Sequence, residues 1–367
     1  MAGVAAELER IASPMLGGEL PVGLRAWDGS HAGPVDGPQA VLHNRRGLRR
    51  LLFKPGELGL GRAYVSGDLD VDGDLTEGLR RCWSAARTAR RGRPALGEAA
   101  TALRLAARVI GPPPKPPAEE AVLRGRLHSI LRDRAAISHH YDRGNEFYEL
   151  ILDQHMAYSC GYWTGGVETL EQAQLAKLEL ICSKLGLRQG MRLLDVGCGW
   201  GALLLHAAEQ YGVRVVGITL SQQQAEFVHE RAKRRGLDDL VEVRLQDYRE
   251  LAAEAGTFDA VSTIEMGEHV GEGNYPGYAG LLQTVLRPRG RLLLQQMSRG
   301  AVHPGGGAFI ESYIAPDMTM RPLSATVAHL ERAGFEIRGV QALREHYVDT
   351  VRAWGVTLEE RWDDVVA

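Results

Sequence analysis

Short apolar runs recur through the second half of the chain, each followed by a turn and a stretch with helical spacing. The runs are rich in valine, leucine and isoleucine, which is typical of strands buried on both faces of a parallel sheet. The predicted strands are residues 191–196, 213–218, 241–245, 258–264, 291–296 and 335–340. The predicted helices are residues 170–186, 222–235, 275–285 and 323–333. This alternation predicts an α/β domain with a mostly parallel sheet.

Two of these helices carry capping signals. Thr169 and Gln172 have the spacing of a capping box, and Ser221 can cap the helix at 222–235. In the first of these helices, apolar residues repeat at intervals of three and four: Leu175, Leu178, Cys182 and Leu185. We interpret this face as core rather than as part of a site.

The first part of the chain, to about residue 78, holds short strand-like runs broken by turns and predicts a small α+β domain. The segment Gly111–Pro117 consists largely of proline, cannot continue a helix and favours extended geometry. We therefore place a domain boundary here, giving domains at 1–117 and 118–367. The second domain is expected to begin with a helix from Ala118 to about Ile137.

Arginine is concentrated between residues 80 and 110, where Glu98 is the only acid. The arginines are Arg80, Arg81, Arg87, Arg90, Arg91, Arg93, Arg104 and Arg108. With apolar residues interleaved, this pattern is what a helix lying on anionic lipid headgroups would carry. A solvated charged face beside the domain core fits the segment equally well.

The composition, 44% hydrophobic and 24% charged with a net charge of -3, is that of an ordinary globular protein and gives no support for nucleic-acid binding. The four cysteines form no C-x-x-C pair, and His139 and His140 lack metal-ligand spacing, so no metal is expected. No signal peptide or apolar run of transmembrane length is present. We expect a cytoplasmic protein with reduced thiols, whose membrane contact is peripheral.

A glycine-rich turn joins the first predicted strand to a helix, with the sequence Asp-Val-Gly-Cys-Gly-Trp-Gly over residues 195–201. Glycine there permits unusual backbone angles and a close approach of a ligand to the main chain. The spacing differs from the G-x-G-x-x-G of dinucleotide-binding proteins and resembles that of S-adenosylmethionine (SAM) methyltransferases.

Polar side chains follow the other strands at the carboxyl edge of the predicted sheet, where ligands bind in open α/β folds. Thr219 stands where many nucleotide sites have an acid, so Thr219 and Gln224 are expected to contact the ribose or the methionine group. Asp247 would face the adenine amino group and Tyr248 its ring. After the fourth strand, Glu265 and Glu268 place two carboxylates at the same edge: the sequence there reads Glu-Met-Gly-Glu-His.

Seven motifs in order make the chain similar to the cyclopropane fatty acid synthase family, which includes bacterial phospholipid enzymes and mycolic acid cyclopropane synthases. They are His140–Asp142 with Gly144–Tyr148, Tyr158–Cys160, the glycine turn, Thr219–Ser221, Gln246–Arg249, Glu268–Gly271 and His346–Tyr347. The similarity covers about residues 130–355. It implies a Rossmann-like class I SAM-dependent methyltransferase domain, and the N-terminal part resembles the extra domain of the phospholipid branch more loosely.

The resemblance implies transfer of a methyl group from SAM to a cis double bond of a membrane phospholipid acyl chain, which forms a carbocation that closes to a cyclopropane. Bound bicarbonate would remove the proton, surrounded by Cys160, Glu268 and Tyr347, with Gln295 and Tyr141 completing the catalytic set. Glu268 must then be paired or share a proton. The residues implied for SAM binding are Tyr158, Ser159, Asp195, Gly197, Gly199, Gly201, Thr219, Leu220, Gln224, Gln246, Asp247 and Tyr248. Location at the inner face of the bacterial membrane and a homodimer are also implied.

The chain departs from the family pattern in two places. Gln295 replaces a histidine of the fifth strand, and glutamine cannot relay a proton, so a methylene- or methyl-branched product is an alternative. The family continues with further helices after the region of Trp354, whereas this chain ends at Ala367, so it is either truncated or without them. A small-molecule methyltransferase and a non-catalytic SAM-binding partner are the other candidate functions.

Overall fold

The computed structural model describes residues 3–88, 96–141, 144–302 and 306–366, and it describes only the backbone of residues 96–99 and 138–141. Contacts divide the chain into two compact units. The first comprises Met1–Glu120 and Gly307–Tyr313, and the second comprises Ala121–Gly306 and Ile314–Ala367. The sequence analysis did not predict that residues 307–313 belong to the first unit.

The first unit is α+β. Its described residues form a four-stranded sheet in the order β2-β1-β3-β4, with β1 and β3 parallel and the other pairs antiparallel. The strands are β1 (Gly23–Ala26), β2 (His31–Ala32), β3 (Gln39–Leu42) and β4 (Leu69–Asp72). The helices are α1 (Val4–Ala12), α2 (Arg45–Phe53), α3 (Glu57–Val65), α4 (Leu75–Thr88) and α5 (Leu96–Arg108), with a short helix at Ala308–Tyr313. Leu105 and Val109, at the end of the arginine-rich segment, pack into the core of this unit.

The second unit is built on a parallel sheet, which confirms the predicted α/β class. Within the described residues its main sheet has five strands in the order β7-β6-β5-β8-β9. They are β5 (Arg192–Val196), β6 (Arg214–Thr219), β7 (Val241–Leu245), β8 (Phe258–Ile264) and β9 (Leu286–Gln295), and two short strands, β10 (Ser298–Arg299) and β11 (Arg321–Pro322), pair separately. The order changes direction at β5, so the carboxyl ends of β5, β6 and β8 meet in the crevice where such folds bind ligands.

Helices cover both faces of the sheet. The described helices of this unit are α6 (Ile130–Tyr141), α7 (Gly144–Ile151), α8 (Leu170–Leu185), α9 (Ala202–Tyr211), α10 (Gln222–Arg234), α11 (Tyr275–Val285), α12 (Leu323–Arg332), α13 (Arg344–Glu360) and α14 (Trp362–Val366). Side chains alternate along β5, so Leu193 packs into one hydrophobic cluster with α8 and α9 while Leu194 packs into another with α11. The capping box at Thr169 and the cap at Ser221 are confirmed.

Two predicted elements are wrong. Residues 335–340 pair with no strand of the described chain, so β9 stays at the edge of the sheet despite the alternating pattern of this segment. Residues 118–129 are not helical, and α6 begins at Ile130. Val122 and Leu127 in that stretch are exposed, so no buried apolar face stabilises a helix there.

Candidate active site

One cavity lies at the carboxyl edge of the parallel sheet, entirely within the second unit. Ten of the residues predicted to bind SAM line it: Tyr158, Ser159, Asp195, Gly197, Gly199, Thr219, Leu220, Gln224, Gln246 and Tyr248. Gly201 and Asp247 do not line it. We call the part formed by residues 195–199, Thr219, Leu220 and Gln224 the glycine-turn wall.

Gly197 and Gly201 of the turn have different structural roles. Gly197 has φ +83°, and a Cβ there would lie 2.9 Å from Cγ of Met266, another residue of the cavity lining. Gly201 has φ +80° and caps α9, where a Cβ would lie 2.7 Å from Cγ1 of Val228. Gly197 therefore keeps the main chain accessible from the cavity, whereas Gly201 allows close packing between helices.

The end of β6 presents an unpaired donor to the cavity. The Thr219 hydroxyl donates to Oε1 of Gln224 at 2.8 Å, and the backbone N–H of Gln224 donates to the capping hydroxyl of Ser221. The remaining amide nitrogen of buried Gln224, Nε2, has no partner among the described residues. A buried donor without a partner is costly, so this wall suits a ligand with oxygen acceptors, as SAM has.

Asp195 lies at the start of the glycine turn and is buried. Its carboxylate accepts a hydrogen bond from the hydroxyl of Ser262 at 2.7 Å. Burial raises the pKa of Asp195 to about 6, and the nearby positive charge of Lys177 lowers it only in part.

The structure places Asp247 beside the cavity rather than in it. Its carboxylate accepts hydrogen bonds from Arg249: from the backbone N–H at 2.9 Å, from Nε at 2.7 Å and from a terminal nitrogen at 2.7 Å. Because Arg249 stands two residues later in a 3-10 turn, it folds back onto Asp247 and uses both carboxylate oxygens. Tyr248 does line the cavity.

A second group of residues meets at the carboxylate of Glu265, directly after β8. Its Oε1 accepts hydrogen bonds from the backbone N–H of Cys160 at 2.9 Å and from Nε2 of Gln295 at 3.1 Å. Its Oε2 accepts one from the hydroxyl of Tyr347 at 2.8 Å. We call Glu265 and these three donors the carboxylate site. Glu265 is half-buried and lines the same cavity as the glycine turn.

Cys160 and Tyr347 remain protonated in this setting. Burial and the neighbouring carboxylate of Glu265 raise the pKa of the Cys160 thiol to about 12. The same two causes raise the pKa of Tyr347 strongly, so its hydroxyl is a hydrogen-bond donor. Cys160 therefore contributes its backbone N–H to the carboxylate site and is not a thiolate nucleophile.

Glu268 does not join Cys160 and Tyr347, although the family resemblance groups these three residues. It is buried, and its Oε1 accepts a hydrogen bond from the backbone N–H of Met297. Its Oε2 has no partner among the described residues. Burial and the nearby charge of Glu265 raise the pKa of Glu268 to about 8, so this side chain is mostly neutral at pH 7. Glu268, three positions after Glu265, does not line the cavity.

Helix α13 holds the segment that carries Cys160. The hydroxyl of Thr350 accepts hydrogen bonds from the backbone N–H of Gly161 and from the indole N–H of Trp163, both at 3.0 Å. Nδ1 of His346 accepts one from the backbone N–H of Trp163, also at 3.0 Å. Tyr347 lies on the same helix, so docking of α13 positions two of the three donors to Glu265.

Helix α8 contributes polar groups that the sequence analysis missed. Gln174 donates to the backbone oxygens of Ala157 and Ser159 at 3.2 and 2.8 Å. Nζ of the buried Lys177 donates to the hydroxyl of Ser159 at 2.7 Å, and Lys177 lines the cavity. The signal was present, because two polar residues three positions apart interrupt an otherwise apolar face.

Aromatic rings form the remaining part of the site. Tyr158 and Trp200 line the cavity, and their ring centroids are 6.4 Å apart. Tyr148 contacts both, and Trp354 of α13 stacks at a tilt on Tyr158. The side chain of Tyr141, predicted as catalytic, lies outside the described residues.

Comparison with known proteins identifies the family. Residues 128–367 match the sequence model of mycolic acid cyclopropane synthetases. The chain belongs to this family. The resemblance inferred from the seven motifs is confirmed, and this member is a SAM-dependent methyltransferase whose relatives methylate or cyclopropanate lipids.

Three relatives show how far the similarity extends. A probable fatty acid methyltransferase of Mycobacterium tuberculosis is 40% identical over 95% of this chain and 84% of its own. The cyclopropane-fatty-acyl-phospholipid synthase of Escherichia coli K12 is 37% identical over 62% of this chain and 57% of its own. The crystal structure of mycolic acid cyclopropane synthase CmaA1 complexed with SAH and CTAB is 31% identical, with a TM-score of 0.59, over 64% of this chain and 85% of its own.

Proposed function

We propose that this synthetase-family protein transfers a methyl group from SAM to the cis double bond of an unsaturated phospholipid acyl chain and closes the product to a cyclopropane. The main support is that one cavity carries both the glycine-turn wall and a carboxylate held by three described donors. The first suits SAM, and the second suits a reaction in which a proton must be removed from carbon.

The chemistry explains why both parts are needed. SAM supplies a methyl carbon made electron-poor by a positively charged sulfur. An alkene is a poor nucleophile, so the protein must hold its double bond against that carbon and keep water away from the carbocation that forms. Tyr158 and Trp200 line the cavity, and aromatic rings of this kind can stabilise positive charge.

The phospholipid substrate is proposed from the relatives. The Escherichia coli relative is named for action on fatty acyl phospholipid, and the relative that matches nearly the whole chain is named as a fatty acid methyltransferase. Both names place the reacting carbon in an acyl chain, which suits the aromatic lining of the cavity.

The direct test uses vesicles of dioleoyl phosphatidylglycerol and SAM with an isotopically labelled methyl group. We expect labelled carbon in the acyl chain, with a cyclopropane signal by NMR and one added CH₂ by mass spectrometry. Saturated dimyristoyl phosphatidylglycerol is the control and should remain unlabelled. Label found only in headgroups, or SAM turnover only with a water-soluble acceptor, would contradict the proposal.

A methylene- or methyl-branched acyl chain is the second candidate product. It is favoured by Gln295, which stands where the cyclopropane synthases carry histidine, and by the names of the relatives that match nearly the whole chain. The same NMR spectrum decides between the products. A cyclopropane gives upfield ring protons, a methylene branch gives terminal-alkene protons distinct from those of the substrate, and a methyl branch gives only a methyl signal.

We also propose a peripheral contact with the inner face of the membrane through the arginine-rich segment. No described helix is both long and apolar enough to cross a bilayer. Arg87 and Arg104 are exposed, as are Leu103 and Ile110 nearby. Arg90, Arg91 and Arg93 lie outside the described residues.

Co-sedimentation with vesicles tests this contact. The double variant Arg87→Gln/Arg104→Gln should bind anionic vesicles more weakly than the wild-type protein does, and neither protein should bind neutral phosphatidylcholine vesicles strongly. Equal binding of both proteins to anionic vesicles would show that these arginines belong to a merely solvated face. The homodimer implied by the resemblance stays a prediction, to be tested by measuring the mass in solution.

A further inference from the structure

The carboxylate site differs from the anion site that the family resemblance implies. Cys160 and Tyr347 were expected to surround bicarbonate, but both donate to the carboxylate of Glu265, and so does Gln295. We propose that Glu265 itself takes the place of bicarbonate and is the catalytic base that removes the proton from the transferred methyl group. This inference rests on the proposed function.

The hydrogen-bond pattern fits an ionised carboxylate. The N–H groups of Cys160 and Gln295 can only donate, and the hydroxyl of Tyr347 is protonated and directed at the other oxygen. A neutral carboxylic acid would have to donate its own proton, and the two N–H groups at Oε1 cannot accept it. Burial raises the pKa of Glu265, whereas the three donors and the charge of Lys177 lower it. A base with a raised pKa is better suited to accept a proton near neutral pH than an ordinary carboxylate is.

The backbone of Glu265 is strained in a way that serves this role. Its φ is +50°, which is uncommon and unfavourable for a residue other than glycine. Its backbone N–H donates to the carbonyl of Gln295 at 2.8 Å, so the end of β8 remains fixed to β9 while the chain turns. The turn directs the carboxylate into the cavity.

The side chains that the structure describes leave bicarbonate without suitable partners. The donors that would hold it are already bonded to Glu265, and a second anion beside this carboxylate would add repulsion between like charges. Nearby Glu268 is buried too and would add to that repulsion if it were ionised. The described residues of the site therefore do not fit bicarbonate, and we derive no step through it.

The proposed step balances as follows. The π electrons of the alkene form a bond to the methyl carbon, the bond from carbon to sulfur breaks with its electron pair on sulfur, and a carbocation remains on the neighbouring carbon. Glu265 accepts a proton from the new methyl group, and the electron pair of that C–H bond closes the ring. The neutral acid then releases its proton to water after the products leave.

Gln295 is the partner that such a base requires. A histidinium at this position would form an ion pair with Glu265 and weaken it as a base, whereas the glutamine amide orients the carboxylate without neutralising it. The replacement of histidine in the fifth strand and the carboxylate at 265 are thus two parts of one arrangement.

The first experiment needs no variant. The wild-type protein is assayed with dioleoyl phosphatidylglycerol vesicles in buffer freed of carbon dioxide, with and without added bicarbonate. We expect lipid product in both cases, with rates equal within about twofold, because an anion that does not contact the reacting groups should have little effect on the rate. A wild-type enzyme that is active only with bicarbonate would overturn the inference and leave the proposed function intact. A wild-type enzyme without lipid product under either condition would refute the proposed function.

The second experiment restores space for an external anion. Glu265→Gly removes the carboxylate and suits the positive φ, which offsets part of the cost of leaving its three donors without this partner, so the variant should still fold. We expect its rate to fall by roughly 100-fold or more and to recover partly with bicarbonate or formate, as for a lost general base. Bicarbonate should also raise the melting temperature of Glu265→Gly but not that of the wild type. A Glu265→Gly protein that keeps wild-type activity without an added anion would overturn the inference.

Glu265→Gln and Glu226→Gln are the matched pair for this test. The first keeps the size of the side chain but not its basicity, and should lose activity without rescue while SAM still binds. The second makes the same change at an exposed glutamate of α10 and should keep full activity. Wild-type activity in Glu265→Gln would show that residue 265 has only a structural role.

Discussion

The two parts of the cavity differ in how far apart their residues lie along the chain. The glycine-turn wall comes from two consecutive strand–turn–helix units, within residues 195–224. The carboxylate site joins Glu265 to Cys160 and Tyr347, which are 105 and 82 positions away in the sequence. The first part therefore depends on local structure, whereas the second depends on the docking of α13 and on the ends of β8 and β9.

Lys177 connects the two parts. Its ammonium group donates to Ser159, and its charge acts on Glu265, Asp153, Cys160 and Asp195. Burial lowers the pKa of Lys177 itself, and the surrounding acids oppose that shift. The charge of a single buried cation thus acts on acidic groups on both sides of the cavity. We therefore expect substitutions in one part to leave ligand binding by the other part unchanged. The pH dependence of the two parts should be linked through Lys177.

Among the variants that distinguish the two parts of the cavity, Tyr347→Phe is expected to have the largest effect on the rate. The change removes the donor to Oε2 of Glu265, and a hydrogen bond to a charged group contributes about 1.5–3 kcal/mol, so kcat should fall roughly 10- to 100-fold. SAM affinity, measured by calorimetry, should stay within about twofold because Tyr347 is not part of the glycine-turn wall.

The control is Tyr211→Phe, which removes a hydroxyl bonded to Glu179 away from the cavity and should leave both quantities unchanged. If SAM affinity in Tyr347→Phe fell as much as kcat does, the two parts of the cavity would not be independent.

Gly197→Ala should act on the opposite wall. Alanine at this position would have to adopt a positive φ, at a cost of roughly 1–2 kcal/mol, and its Cβ would meet Met266 in the cavity. We therefore expect about tenfold weaker SAM binding. Gly190 also has φ +83°, but a Cβ there meets no atom within 4 Å among the described residues, so Gly190→Ala separates backbone strain from contact. Equal SAM affinity in the two variants would show that Gly197 is not near the cofactor.

Lys177→Met should shift the pH dependence of the rate. Glu265 must be ionised to accept a proton, so activity is lost as the pH falls through its pKa. Lys177 lowers that pKa together with Cys160, Tyr347 and Gln295, so its removal should move the acidic limb of the pH–rate profile to higher pH. Lys184→Met, at an exposed position of the same helix, is the control and should leave the profile unchanged.

Glu268→Gln should have the smallest effect on activity and a distinct effect on stability. Because the pKa of Glu268 rises from 4.5 to about 8 on folding, this group stabilises the folded state below pH 4.5 and loses that contribution as the pH rises towards 8. Glutamine does not ionise, so the variant should not lose folding stability in this way as the pH rises. Its melting temperature should therefore exceed that of wild type at high pH but not at low pH. An activity loss as large as that of Glu265→Gln would instead place Glu268 in the carboxylate site.

Much of the fold could be predicted because its signals are local. The strands of the parallel sheet lie within a few residues of their predicted positions, and the caps at Thr169 and Ser221 are confirmed. The prediction of a strand at 335–340 is wrong, since a strand needs a partner and the alternating pattern cannot show whether one is present.

The site was predicted unevenly. Ten residues predicted to bind SAM line the cavity, whereas Asp247 is engaged by Arg249, and Glu265 rather than Glu268 meets Cys160 and Tyr347. Both glutamates follow the same strand in the sequence, but Glu265, whose φ is positive, lines the cavity and Glu268 does not.

The sequence by itself determined the parallel sheet, the glycine turn at its carboxyl edge and membership in the family, because hydrophobic periodicity and glycine spacing act over a few residues. The tertiary structure alone decided which carboxylate the remote donors reach and which polar residues of α8 are buried beside it. Those outcomes depend on the packing of segments that are far apart in sequence, which no local pattern around the two glutamates or along α8 records.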